Sequence, residues 1–252
     1  MGNYRIFNRP LVMLTMVIFN CRNWLGLARI FSVTKSPIRF LMIYLSLSDL
    51  RMKSTDFEII YRTAGKLKSI SVRGAHDYST FFEVFCRKDY AVTKLGMVMV
   101  DIGSNIGITA RFFLENGAKF IYLYEPDKAN LNFLRRNIAN FTDCYVLEER
   151  AVSTSSGTSF FEFEKTGRYG RLDDSNNLDD GIRREMTQVE VIGIEDVLAT
   201  ALVNFDSIDL LKIDVEGIEL DIVNAIPANY LSRIKMIQYE TWPEGIVTFK
   251  PE

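Results

Sequence analysis

Met97-Val-Met-Val-Asp101-Ile-Gly103-Ser-Asn105-Ile-Gly107, followed by Ile108-Thr-Ala-Arg-Phe-Phe-Leu114, is the stretch that decides the fold. Apolar residues run almost unbroken to Ile102, as they do in a strand buried on both faces. The run stops at Gly103, a residue free to take positive φ and to let backbone pass close to other atoms. From Ile108 the apolar residues return with helical spacing. That order predicts a buried strand, a tight turn and a helix. In open parallel sheets small molecules bind at the carboxyl ends of such strands.

The spacing of the turn narrows the ligand. A dinucleotide fingerprint puts its second glycine two residues after the first, so that a pyrophosphate can press on the backbone. Here Asn105 holds that place and the next glycine is Gly107. Asp101, read as the acidic tip of the strand, suits a ligand with an ammonium group rather than phosphates, and S-adenosylmethionine has that size and charge. Lys119-Phe-Ile-Tyr-Leu-Tyr124 reads as a second strand, ending in Glu125-Pro126 ahead of a helix with Leu131, Leu134, Ile138 and Phe141 on one face. Glu125, about 20 residues beyond the turn, is placed to accept both ribose hydroxyls. The plainer alternative makes Asp101 and Glu125 helix caps.

Asp101-Ile-Gly103-Ser-Asn105-Ile-Gly107, Tyr124-Glu-Pro-Asp127 and Leu210-Leu-Lys-Ile-Asp214-Val-Glu216-Gly217 stand in this order. Together they resemble the FkbM-type family of S-adenosylmethionine-dependent methyltransferases, over roughly residues 70–240. The resemblance implies an α/β class I methyltransferase (Rossmann-like) fold, with a central, mostly parallel sheet and helices on both faces. It implies O-methylation of a hydroxyl on a sugar or glycosylated small molecule. It also implies that the segment from Val72 to Phe85 folds over the cofactor with Tyr90 walling the pocket, although His76 stands where a small residue is expected. By the same likeness an acidic residue after strand three, Glu148 or Glu149, contacts the adenine amino group, and Asp214, after strand four, faces the methyl group.

The chain has 252 residues, 48% hydrophobic and 25% charged, enough for one large core with a small appendage. A formal net charge of −2 gives no basic field, so a nucleic-acid partner is disfavoured and a small-molecule or glycan acceptor fits better. Cys21, Cys86 and Cys144 are widely spaced and odd in number, so neither a disulfide framework nor a zinc site is expected, which points to the cytoplasm. His76 is the sole histidine, and no metal is expected.

Arg5 and Arg9 precede an apolar run, Leu11–Phe19, and Pro37–Leu50 is a second one. The first is too short for a span, which needs about 20 residues. It is followed by no small-residue cleavage site of a signal peptide. Two helices covering the catalytic core, or a peripheral membrane contact through residues 10–50, are the two readings. Residues 1–55 are thus a helical N-terminal extension and residues 56–252 the methyltransferase domain. Residues 56–72 suggest a hairpin turning at Gly65-Lys66, and Asp77–Thr80 supplies helix N-cap candidates. Ala151-Val152 and Ser159–Phe163 look like a hairpin across Gly157, and Gln188–Ile192 like a half-exposed strand. Between them, the polar stretch Glu164–Glu185 reads either as a lid, with Arg168 and Arg171 for an anionic acceptor, or as a solvated loop. Lys235–Tyr239 is strand five, with Glu240 at its tip. The 12 residues after Glu240 allow one edge strand where the usual seven-stranded sheet has a helix and two strands. The expectation is a truncated or short sheet, or an oligomer through that C-terminal edge.

An alcohol holds its proton at neutral pH, so a base is needed, and Asp214 is the first choice. Glu216 and Glu240 are neighbours that raise its pKa or bind acceptor hydroxyls, and His76 is a further candidate. The alternative is that Asp214 and Glu216 cap a helix beginning at Gly217. Two other classes compete: a cofactor-binding but inactive regulatory or scaffold protein, and a nicotinamide-dependent oxidoreductase, which the missing middle glycine disfavours. No Asn/Asp-Pro-Pro-aromatic stretch follows strand four, so methylation of a nucleic-acid base is not indicated.

Overall fold

The structure, a computed structural model, describes residues 21–46, 52–90, 95–163, 170–173, 185–215, 217–241 and 245–251. Leu11–Phe19, Arg168, Glu216 and most of the expected lid lie outside the described residues. The chain divides between residues 91 and 92 into two compact units.

The first unit begins with helices α1 (Cys21–Val33) and α2 (Pro37–Ser46), followed by strands β1 (Glu58–Thr63) and β2 (Lys66–Ser71), paired antiparallel. The hairpin turns at Ala64-Gly65, both with positive φ, one residue earlier than the sequence suggests. A two-residue loop with both residues left-handed matches the twist of the strands it joins. Helix α3 (Ala75–Phe81) runs into a π-helical segment, Phe82–Arg87. Its N-cap is Gly74, so the expected capping residues fall inside the helix. Asp77 instead turns back and accepts from the Arg73 backbone N–H at 2.6 Å and from its guanidinium Nη2 at 2.8 Å. Tyr61, Phe81 and Phe85 form the aromatic centre, with the Phe81 and Phe85 rings stacked at 4.5 Å. No described helix is long and apolar enough to cross a membrane.

The second unit is built on strands β3 (Val98–Ile102), β4 (Phe120–Tyr124), β5 (Tyr145–Glu148), β10 (Leu210–Ile213), β11 (Ile237–Thr241) and β12 (Gly245–Phe249), in the order β12-β11-β10-β3-β4-β5. All but β12 are parallel, and β12 pairs antiparallel with β11 as the single edge strand that the C-terminal residues allow. The chain runs outward from β3 to β5 and then returns to β10 on the other side of β3. That reversal makes the β3/β10 boundary the topological switch point, where such sheets bind ligands. Every residue of β3 is buried, as its apolar run predicts.

Alternation in the strands sorts side chains onto two faces. Val100, Ile102, Tyr122, Ile213 and Ile237 join one buried cluster with Ile194, Val197, Leu198 and Ala201 of α6 (Ile194–Asn204) and Ile222 of α7 (Glu219–Asn224). Helices α4 (Ile108–Glu115) and α5 (Lys128–Ile138) contribute nothing to that cluster and pack on each other. A short helix α8 (Ala228–Leu231) precedes β11.

A second sheet has the order β6-β9-β7-β8, from β6 (Ala151–Ser153), β7 (Gly157–Phe163), β8 (Gly170–Asp173) and β9 (Glu185–Gly193). The sequence suggests that β6 and β7 form a hairpin, but β9 lies between them, parallel to β6 and antiparallel to β7. Ser156 locks this arrangement: its Oγ donates to Asp196 at 2.6 Å and accepts from the Gly193 N–H at 2.8 Å. The described part of the expected lid is strand β8, laid antiparallel on β7.

Candidate active site

The turn after β3 uses up its own backbone donors. The Gly103 and Ser104 N–H groups both donate to the Tyr124 carbonyl at 3.0 Å, and Gly107 donates to Ser104 O at 2.9 Å. Asn105 N–H donates to Glu125 Oε2 at 2.7 Å, and Ile106 N–H to the Asn105 side-chain oxygen at 2.8 Å. All five are satisfied within the protein, so the turn offers none of the free N–H groups that cradle a pyrophosphate. Gly103, Asn105 and Gly107 all have positive φ. At Gly103 this matters twice over, because a Cβ there would lie 1.9 Å from the Asp214 carbonyl oxygen. The glycine lets the ends of β3 and β10 close on each other.

Glu125, just past β4, is buried and anchors the turn from below. Besides Asn105, it accepts from Asp127 N–H at 2.9 Å and from Asn130 Nδ2 at 3.2 Å, both at Oε1. Burial pushes its pKa up to about 7, against the pull of those donors. It does not cap the following helix: Asp127 does, accepting from Ala129 N–H at 2.7 Å.

Asp101 is not at the strand tip but inside β3, in register with Lys212 of β10, and it is wholly buried. The Lys212 ammonium lies 3.1 Å from Asp101 Oδ1 and 3.2 Å from Asp214 Oδ2. Burial raises the Asp101 pKa, Lys212 draws it down and Asp214 raises it again. The counter-charge expected from a ligand is thus supplied by the protein, and the part of the cluster that solvent reaches is Asp214, whose side chain is 32% exposed. Two carboxyl groups thus share one ammonium, and the open member of the cluster is Asp214.

Asp214 does not cap the next helix. Its N–H donates to Ile102 O at 3.0 Å, its carboxylate goes to Lys212, and α7 begins only at Glu219. Glu219, the first residue of α7, instead ties down the segment before the helix, accepting from Gly217 N–H at 2.9 Å and Val215 N–H at 3.3 Å, while Ile218 at the N-cap position makes no side-chain capping bond. Sequence reasoning missed Lys212 and Glu219. The available signals were a lone cation inside the apolar run Leu210–Ile213 and an acidic residue in the first turn of α7.

Of the other expected residues, Glu148, Glu149 and Glu240 belong to the second unit. Glu149 is half-exposed and turns to Arg135 of α5, with which it is ion-paired. Glu148, opposite Tyr124 in the sheet, holds Arg150 at 3.1 Å, and its carbonyl accepts from Glu125 N–H. Glu240 is not at the tip of β11 but inside its ladder, exposed and opposite Ile246. His76 and Tyr90 belong to the first unit, His76 half-buried in the first turn of α3 and Tyr90 buried beyond its π-helical end. Within the described residues of the second unit, Gly103, Asn105, Gly107, Glu125, Asp101 and Asp214 are the expected residues gathered around one switch point.

A five-strand parallel core with this order, a glycine turn after its first strand and acidic residues after its second and fourth define a class I methyltransferase fold. The Methyltransferase FkbM domain matches residues 101–247, more than half of the chain, and the chain belongs to that family of methyltransferases. Among solved structures it is similar to wild-type Trm5b from Pyrococcus abyssi, at 12% identity over 72% of this chain and 40% of that one, with a TM-score of 0.35. It is similar also to a precorrin-6y C5,15-methyltransferase from Geobacter metallireducens (16%, 74% and 67%, TM-score 0.32). A third likeness is to the METTL16 MTase domain (13%, 81% and 64%, TM-score 0.33). Likenesses this slight carry no argument about function. No curated protein matches the chain.

Proposed function

We propose that this chain uses S-adenosylmethionine to methylate a hydroxyl oxygen, on a sugar or a glycosylated small molecule. The observation that carries the reading is the combination at the switch point: a turn whose own N–H groups are all used within the protein, beside two carboxyl groups that share one ammonium and open to solvent at Asp214. An anionic dinucleotide finds no free donor in the turn itself, whereas a nucleoside carrying a sulfonium and an ammonium meets the open carboxyl group of Asp214. The residues fit the cofactor in this division: Glu125 at the ribose end, Asp214 at the charged end, and Glu148 rather than Glu149 near the base. When bound, S-adenosylmethionine supplies an electrophilic methyl group.

The chain's own work is to align and to deprotonate. Holding an acceptor oxygen in line contributes about 7–11 kcal/mol in favourable cases. Asp214 accepts the hydroxyl proton at its carboxylate, a contribution of about 10²–10⁴-fold. Lys212, fixed by Asp101 on its other side, keeps that carboxylate in one place. The family supports methyl transfer, and the hydroxyl acceptor rests on what the motif resemblance implies.

Calorimetry of the full chain with S-adenosylmethionine, S-adenosylhomocysteine and NADH tests the cofactor. Binding of the first two and not the third is expected. NADH binding without S-adenosylhomocysteine binding overturns the proposal, and cofactor binding without transfer to any of a panel of hydroxylated glycans and glycosides leaves a binding protein in place of an enzyme.

A further inference from the structure

Two helices of the first unit are apolar on the side that turns away from its core. Helix α1 buries Ile30, and α2 buries Phe40, Ile43 and Tyr44. Phe40 packs on Tyr78 and Phe81, and Tyr44 on Phe82. Yet Trp24, Leu25 and Phe31 of α1 are 62%, 66% and 60% exposed, and Ile38 of α2 is 70% exposed, with Met42 also in the open. Trp24 and Phe31 are two turns apart with exposed Ala28 between them, and Ile38 and Met42 are one turn apart, so each set is a stripe along its helix. A short helix that is apolar on two sides needs a cover for the second one.

Charge identifies the cover. Residues 1–48 contain Arg5, Arg9, Arg22, Arg29, Lys35 and Arg39 and not one Asp or Glu, while the other 204 residues hold 24 basic and 32 acidic side chains. Lys35, exposed, sits in the three-residue link between the two stripes. A second copy docked through this face would set Lys35 against its own counterpart and bring no acidic residue from positions 1–48. A bilayer surface with anionic headgroups offers both an apolar layer for the stripes and the missing negative charge. We propose that the α1–α2 face docks on an anionic membrane surface, lying in the headgroup layer without crossing it. Independently of the reading of the active site, this puts the chain at a lipid interface.

The test is co-sedimentation of the full chain with vesicles of phosphatidylcholine alone, or with about 30 mol% phosphatidylserine. The chain is expected to pellet with the anionic vesicles only, and to be released at about 0.5 M salt, where surface charges are screened. With Trp242→Phe in place, Trp24 is the only tryptophan, and its emission is expected to shift to the blue on adding anionic vesicles. Trp24→Ser/Phe31→Ser and Lys35→Glu/Arg39→Glu are expected to keep the circular dichroism and melting midpoint and to lose vesicle binding by about tenfold or more. Val203→Ser, at a still more exposed apolar site in the second unit, is expected to leave it unchanged. A chain that stays in the supernatant overturns the proposal, as do variants that sediment like the wild type. Binding lost only when residues 2–20 are deleted, with the helix substitutions silent, moves the contact off this face and overturns it. So does a dimer in sedimentation velocity that Trp24→Ser/Phe31→Ser makes monomeric without any vesicle effect.

Discussion

With Glu125 at the ribose, as proposed, cofactor affinity is expected to depend on pH, and the size of the effect follows from its surroundings. Its folded pKa of about 7 stands above an ordinary value of 4.5 because burial outweighs three hydrogen-bond donors. For folding, an acid with a raised folded pKa contributes least when ionised, so stability held below pH 4.5 is lost as the pH rises through 7. The full loss is about 3 kcal/mol. For binding the sign is opposite. Ribose hydroxyls donate to a carboxylate, so the ionised form is the competent one, and affinity is expected to fall tenfold for each pH unit below 7. At pH 5.5 that is about thirtyfold, or about 2 kcal/mol, against the value above pH 8. Titration calorimetry with S-adenosylhomocysteine in buffers of different ionisation enthalpy measures both the affinity and the proton. Close to one proton is expected to leave per ligand bound at pH 5.5, and none at pH 8.5. Glu125→Gln removes the dependence, with thermal melting as the check that the turn still folds. A dissociation constant that does not move between pH 5.5 and 8.5, or a slope that survives in Glu125→Gln, refutes the assignment.

Gly103→Ala places a methyl group 1.9 Å from the Asp214 carbonyl oxygen at a positive φ, and is expected to cost more than about 2 kcal/mol in urea denaturation. An unchanged midpoint contradicts the close approach. Lys212→Met leaves two carboxylates without their shared cation, one of them fully buried, for an expected loss of about 3–5 kcal/mol. Adding Asp101→Leu is expected to restore most of that loss, and a double mutant no better than the single one breaks the pairing argument. Asp214→Asn is expected to bind S-adenosylhomocysteine nearly as wild type while methyl transfer to hydroxylated glycosides drops by about 10²–10⁴-fold. Full turnover in that variant removes Asp214 as the base.

The centre of the fold is legible because its signals are local. The apolar run into Gly103, the helix after it and the repeat of that pattern to Glu125 all lie within a few turns of chain. What stays hidden is what depends on register. Asp101 reads as a strand tip, yet one residue of difference in where β3 ends decides whether its side chain meets a ligand or the neighbouring strand. Its partner Lys212 is 111 residues away, and nothing near either residue announces the other. The supposed hairpin of β6 and β7 fails in the same way, since the strand that separates them begins at Glu185. Asp214 is no cap because α7 starts two residues later than the glycine suggests, at Glu219. The exposed stripes of α1 and α2 are apolar in the sequence like any core helix, and only packing tells the inner side from the outer.

The long separation of Asp101 from Lys212 has a consequence for the birth of the molecule. On a ribosome, β3 can zip to β4 once residue 124 has emerged, but its other edge stays bare until β10 arrives, and closing so large a loop is slow. Throughout that interval Asp101 has no cation beside it and must remain hydrated or protonated. The middle of the sheet therefore dries later than the β3–β4–β5 side, and the half-made chain waits with a strand edge open.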